Sequence, residues 1–138
     1  MPDKSYAHRP LLDKLGVKPG ARVSVLGVED EAFMANLRNR TEDISLEEAV
    51  SESDAVFLGV QGPPDMARMG GLRASIKPDG AVWAVFRKGR KGFNENDVLR
   101  LGLESGLVDV KVVRFSETHT ATKFVIRKAE RPKTHKLP

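Results

Sequence analysis

The run Arg22-Val23-Ser24-Val25-Leu26-Gly27 constrains this chain most. An apolar stretch this short and dense suits a strand buried on both faces, as in the middle of a parallel sheet. Two more runs have the same character, Asp54 to Val60 and Ala81 to Phe86. Between them lie helical patterns. Glu31 to Arg40 places Ala32, Phe33, Met34 and Leu37 at amphipathic spacing. Asp65 to Ile76 is predicted as a second helix, with proline in its first turn. Strands alternating with helices imply an α/β fold, a mostly parallel Rossmann-like sheet with helices on both faces and right-handed crossovers.

The remaining segments fill in around this frame. Leu11, Leu12 and Leu15 predict a short helix ended by Gly16, followed by a Lys18-Pro19-Gly20 turn. A short edge strand is expected near Ile44, and a helical turn over Leu46 to Ser51. Lys77-Pro78-Asp79-Gly80 is a strong turn signal. Asn94 with Asp97 three residues on caps a helix that Gly106 ends. Lys111 to Glu117 and Lys123 to Arg127 predict an antiparallel strand pair. Residues 1–10 are expected to form an arm, 11–128 a single domain and 129–138 a basic flexible tail.

Charge is unevenly spread. Residues 127–138 hold five Lys/Arg against one acid, which accounts for the formal net charge of +4. Residues 29–54 hold nine acids and only Arg38 and Arg40 as bases. A basic isoelectric point therefore reports mostly the tail, and nucleic acid is a disfavoured partner. The absence of cysteine excludes disulfides, thiolate metal sites and cysteine nucleophiles. No signal peptide or membrane span is visible, so a cytoplasmic protein is expected. The three histidines have no metal-ligand spacing, and no Walker loop or nucleophile elbow occurs.

Several segments carry a family resemblance. Lys18-Pro19-Gly20 ahead of a strand ending in Gly27 resembles the entry to the first strand of class I S-adenosylmethionine-dependent methyltransferases. Leu72 to Trp83 resembles the segment joining the last two parallel strands of that fold, and the final strand pair resembles its end hairpin. Leu11 to Gly20, Pro78 to Trp83 and Gly106 to Val112 are together similar to a family of small bacterial proteins of unknown function. The resemblance spans residues 5–128. It implies a shortened methyltransferase-like domain, with S-adenosylmethionine as the cofactor to consider. The chain is short for the two middle strands that normally wall the cofactor's adenine.

The ligand crevice of a doubly wound sheet lies beyond the carboxyl ends of its strands. This makes Gly27, Glu29, Gln61, Gly62, Pro63, Arg87 and Lys88 the candidate ligand-binding residues. The methyltransferase loop after the first strand normally carries several glycines, because backbone must approach the cofactor closely. Here Gly27 stands alone, followed by Val28, Glu29, Asp30 and Glu31. Acids there repel phosphate but can accept from ribose hydroxyls or an ammonium, and they equally suit a helix N-terminus. Gln61-Gly62-Pro63-Pro64-Asp65 resembles the Asp/Asn-Pro-Pro-aromatic motif of amino methyltransferases, with Gly62 and Asp65 at its two chemical positions. A proline-started helix is the plainer reading of the same residues. His119, near Glu117 and Thr118, is expected as a turn residue, and Trp83 as core or crevice wall.

These observations favour a domain that binds a small ligand or protein partner without catalysis. A minimal S-adenosylmethionine-dependent methyltransferase is the alternative. An adaptor for RNA or an acidic partner through the basic loop Arg87-Lys88-Gly89-Arg90-Lys91 is a second one, with salt-sensitive binding.

Overall fold

The three apolar runs lie side by side as parallel strands, held by the register that buries all three on both faces. A computed structural model describes residues 10–131; the rest of the predicted arm, 1–9, and of the basic tail, 132–138, lies outside the described residues. In chain order the elements are α1 (Leu11–Lys14), β1 (Val23–Leu26), α2 (Glu31–Arg40), β2 (Ile44–Leu46), β3 (Ser53–Val60), α3 (Pro63–Met66), α4 (Met69–Leu72), β4 (Ile76–Arg87), α5 (Glu95–Glu104), β5 (Leu107–Arg114) and β6 (His119–Ile126). The sheet order is β2-β1-β3-β4-β6-β5. Its first four strands are parallel, and β6 runs antiparallel to both β4 and β5.

Each face has its own core. On one, Phe33 and Leu37 of α2 and Leu12 of α1 pack on Val25, Phe57, Trp83 and Ala121. An aromatic chain runs through it: Phe57 stacks on Trp83 at 6.2 Å, Phe33 meets Phe57 at 5.1 Å, and Phe115 meets Phe33 at 4.9 Å. On the other face Met66, Met69, Leu72 and Val98 cover Leu58, Val82 and Phe124. Both layers predicted from sequence are present.

Four local expectations are corrected. The helical turn over Leu46–Ser51 is instead an irregular strap, residues 47–52, from the end of β2 to the start of β3. Six residues must cross β1 to reach the far end of the sheet, and a helix rising 1.5 Å per residue would fall short. The strap is bolted to β1 by two buried hydroxyls. Ser53 Oγ donates to the Val50 carbonyl, and Ser24 Oγ accepts from Val50 N at 3.0 Å, so Ser24 gives its proton to Ser53 Oγ at 3.0 Å. The helix predicted over Asp65–Ile76 breaks at Ala67–Arg68 into α3 and α4, and α4 gives way to a 3-10 turn at Arg73–Ser75.

The Lys77–Gly80 turn lies inside β4. The register passes from Ser53↔Ile76 to Ala55↔Ala81, so two residues on β3 face five on β4, and the turn chemistry makes a bulge. A Cβ on Gly80 would stand 2.9 Å from the Ser53 carbonyl oxygen. Lys77, in the bulge, pairs with Asp54 at 2.9 Å. Finally, β5 starts at Leu107 rather than Lys111; as an edge strand with Asp109 to Val112 exposed, it lacks the alternation that marks a half-buried strand. Beyond β6, Lys128–Glu130 forms a 3-10 turn and Glu130 pairs with Arg73 at 3.0 Å.

Candidate functional site

A cleft of about 240 Å³ opens at the carboxyl ends of the parallel strands. It lies at β1 and β3, where the sheet order reverses, because the chain leaves β1 for β2 on one side and returns to β3 on the other. Its floor is apolar: Val28, Gly59, Val60, Val85 and Phe115. One wall is the start of α2, with Glu29, Asp30 and Glu31. The opposite wall is the β5–β6 hairpin, with Thr118 and His119. The Phe33–Phe115 contact ties these walls together from below.

Backbone packs closely on backbone where β1 and β3 end at the cleft. Gly27 has φ +70°, which suits glycine, and turns the chain down over β3. Its carbonyl lies against Gly59, so close that a Cβ on Gly59 would sit 2.1 Å from the Gly27 oxygen. The Gly27 N–H points to Glu47, whose two carboxylate oxygens both accept from it at 3.1 Å. Glu47 itself has φ +59°, a left-handed conformation that a non-glycine residue holds at a cost of about 1 kcal/mol. Its N–H donates to the Val25 carbonyl at 2.7 Å, which fixes it there.

The acidic wall is only partly committed. Asp30 is the N-cap of α2 and accepts from Phe33 N at 2.9 Å. Among the described residues, Glu29 and Glu31 make no ion pair, and both are exposed. On the hairpin, His119 Nδ1 is 2.8 Å from Thr118 Oγ1. His119 opens β6 directly opposite Arg87, so the two share the cleft's face of the sheet. The connection expected between Glu117 and Lys123, with His119 in it, lies instead at Phe115–Thr118, and β6 starts at His119 rather than Lys123.

Gly27, Glu29 and Gln61 are thus brought together in the lining. Gly62 and Pro63 begin α3 and lie outside the lining. Arg87 and Lys88 stand on its rim: Arg87 by its pairing with His119, and Lys88 by its N–H, which donates to the Thr118 carbonyl at 3.0 Å. The basic loop is also anchored at Arg90, which donates to the Gln61 carbonyl at 2.9 Å. Gly59, Glu47, Phe115 and Thr118 are absent from the sequence-based candidates. A glycine inside an apolar strand signals close backbone approach, so Gly59 was detectable. A left-handed glutamate carries no local signal.

Tested against S-adenosylmethionine, these residues fit one end of the molecule only. Glu29 and Glu31 can accept from an ammonium. A nucleoside finds less: β2 is three residues long, and only the strap follows it in the chain before β3. The backbone that would approach the cofactor is turned onto Gly59 and Glu47. Among the described residues no group of three metal-ligating side chains occurs, and no helix is long and apolar enough to cross a membrane.

No protein-family profile and no curated protein matches the sequence. Solved structures match the fold. An S-adenosylmethionine-dependent methyltransferase from Aquifex aeolicus superposes with TM-score 0.65 at 13% identity, over 85% of this chain and 88% of that one. This is the class I methyltransferase fold, shortened. The Burkholderia thailandensis 1,6-didemethyltoxoflavin-N1-methyltransferase, solved with bound 1,6-didemethyltoxoflavin and S-adenosylhomocysteine, matches with TM-score 0.55 at 13% identity, over 83% and 73% of the two chains. An enzyme described as catalysing a pericyclic reaction matches with TM-score 0.60 at 9% identity, over 86% of this chain and 47% of that one. Such identities describe architecture, and architecture hosts many chemistries.

Proposed function

We propose that this chain is a small-ligand-binding domain of methyltransferase fold, with the cleft between α2 and the β5–β6 hairpin as its site and no methyl transfer. The observation that carries this reading is the contact of Gly27 with Gly59, which uses the chain's own backbone to fill the approach a cofactor would need. The Glu47 carboxylate adds to it by occupying the Gly27 N–H. The cleft sets Val28, Val60, Val85 and Phe115 beneath a larger polar lining that includes Glu29, Gln61, Thr118 and His119, so polar groups converge on it.

Melting temperature against S-adenosylmethionine, S-adenosylhomocysteine, nucleotides and nicotinamide cofactors tests the reading. A ligand present at 100 times its Kd adds about 2.7 kcal/mol, a readily measured shift. None of these compounds is expected to produce one. The second reading, a minimal S-adenosylmethionine-dependent methyltransferase, is supported by the neighbours from Aquifex aeolicus and Burkholderia thailandensis. A shift with both adenosyl ligands, abolished by Glu29→Gln, would favour it.

A further inference from the structure

We infer that Lys123 is a nucleophilic amine that takes up an anionic carbonyl compound, an α-keto acid or an acidic aldehyde, with Lys111 holding the carboxylate. Lys111 on β5 stands directly opposite Lys123 on β6, so the two ammonium groups share one face of the sheet. Like charges in that position destabilise a strand pair. Val113 and Val125, each two residues on in its own strand, belong to the core on the same face. Neither lysine lines the cleft, and among the described residues neither forms an ion pair. The partners they do have are uncharged. Lys111 Nζ donates to the Lys14 carbonyl at 2.9 Å. Lys123 Nζ lies 5.9 Å from the centre of the Trp83 ring, near the outer limit of about 6 Å for a cation over an aromatic face.

Two effects therefore favour the neutral amine at Lys123. It is half-buried, which penalises its charge, and the Lys111 ammonium repels a second one. Burial is the larger of the two, and together they hold its pKa below the ordinary lysine value of 10.5. A lysine desolvated beside another cation is activated for imine formation. The Nζ lone pair attacks the carbonyl carbon, a proton passes from nitrogen to oxygen, and loss of water leaves a C=N bond. Amine and carbonyl give imine and water, with no oxidant or reductant. Two cations without a counter-ion favour a carbonyl compound that brings its own negative charge. Lys77 is the opposite case. It is intermediate in exposure as well, but it pairs with Asp54 at 2.9 Å, and that hydrogen bond and charge raise its pKa.

Reductive trapping of the full chain with glyoxylate and cyanoborohydride, followed by peptide mass spectrometry, tests this. Lys123 is expected to be alkylated first, about tenfold faster than Lys77 at neutral pH, and propionaldehyde should show a smaller preference. Lys111→Gln should slow glyoxylate labelling of Lys123 by about tenfold and move its pH midpoint upward, because the neighbouring charge is gone. Lys111→Arg keeps that charge and should retain both the rate and the midpoint. Labelling that follows exposure alone, with Lys77 and Lys123 modified alike in the parent chain, would overturn the inference. So would a Lys123 rate and midpoint indifferent to Lys111→Gln, or propionaldehyde labelling Lys123 as selectively as glyoxylate.

Discussion

Gly59 is glycine because the Gly27 carbonyl lies where its side chain would be. Gly59→Ala should therefore destabilise the fold by about 1–3 kcal/mol, since backbone rather than a movable side chain must give way. Gly62→Ala, with nothing nearer than 3.7 Å and an extended φ, should cost less than about 0.5 kcal/mol. Urea unfolding of the two variants measures the contrast, and equal losses would remove the packing argument. Asp54 supplies a pH-dependent term. Burial disfavours its charged form, but the Arg22 N–H, the Lys77 ammonium and the Arg22 charge outweigh that, and its pKa falls below 3.8. The folded state then holds this proton less tightly than the unfolded chain. The stabilisation is full above 3.8 and is lost as pH falls through the lowered value. Asp54→Asn should lower the urea midpoint near neutrality, and the gap to the parent should close on acidification. A gap independent of pH would mean that the carboxylate's charge contributes nothing. Of these residues, Gly59 was legible as an interrupted strand. Glu47 was not, because its conformation is imposed by the strap and by Gly27 rather than by its neighbours in sequence.

Helix α5 is the element the sequence described most completely. Asn94 accepts from Asn96 N and Asp97 N while the Asp97 carboxylate accepts from Asn94 N, closing a capping box. Asn94→Ala should cost about 1 kcal/mol in urea unfolding. Local hydrogen bonds made that helix legible, since the residues that satisfy the cap are three apart. The middle of α5 depends instead on a distant partner. A Cβ on Gly102 would stand 2.2 Å from the Phe124 ring, so Gly102→Ala should destabilise despite alanine's better helix propensity. Gly102→Ala combined with Phe124→Leu should lose less than the two changes summed, a coupling that a double-mutant cycle reads. The same division explains the elements that were misread. The Lys77–Gly80 segment has turn chemistry, and only its pairing with Ser53 and Asp54 makes it a bulge within β4. The strap has no distinguishing pattern, and the distance it must span sets its form.

At the scale of the whole molecule, the six-residue crossover between β2 and β3 sets the form of one sheet edge. It leaves β2 as a three-residue edge with Leu46 exposed, and it puts Ser24 on β1 where an apolar residue would face a covering helix. The parallel order and the position of the crevice were legible from the apolar runs, because strand burial on both faces leaves few alternative arrangements. The walls of the cleft were not, since they join residues 29–31 to 115–119 through the Phe33–Phe115 contact. Under the proposed function, the short sheet and the turn of Gly27 onto Gly59 together separate this fold from its cofactor chemistry. Equilibrium dialysis of the full chain against S-adenosylhomocysteine tests that claim most directly. No saturable binding is expected up to millimolar concentration, whereas one-to-one binding with a Kd in the micromolar range would contradict it.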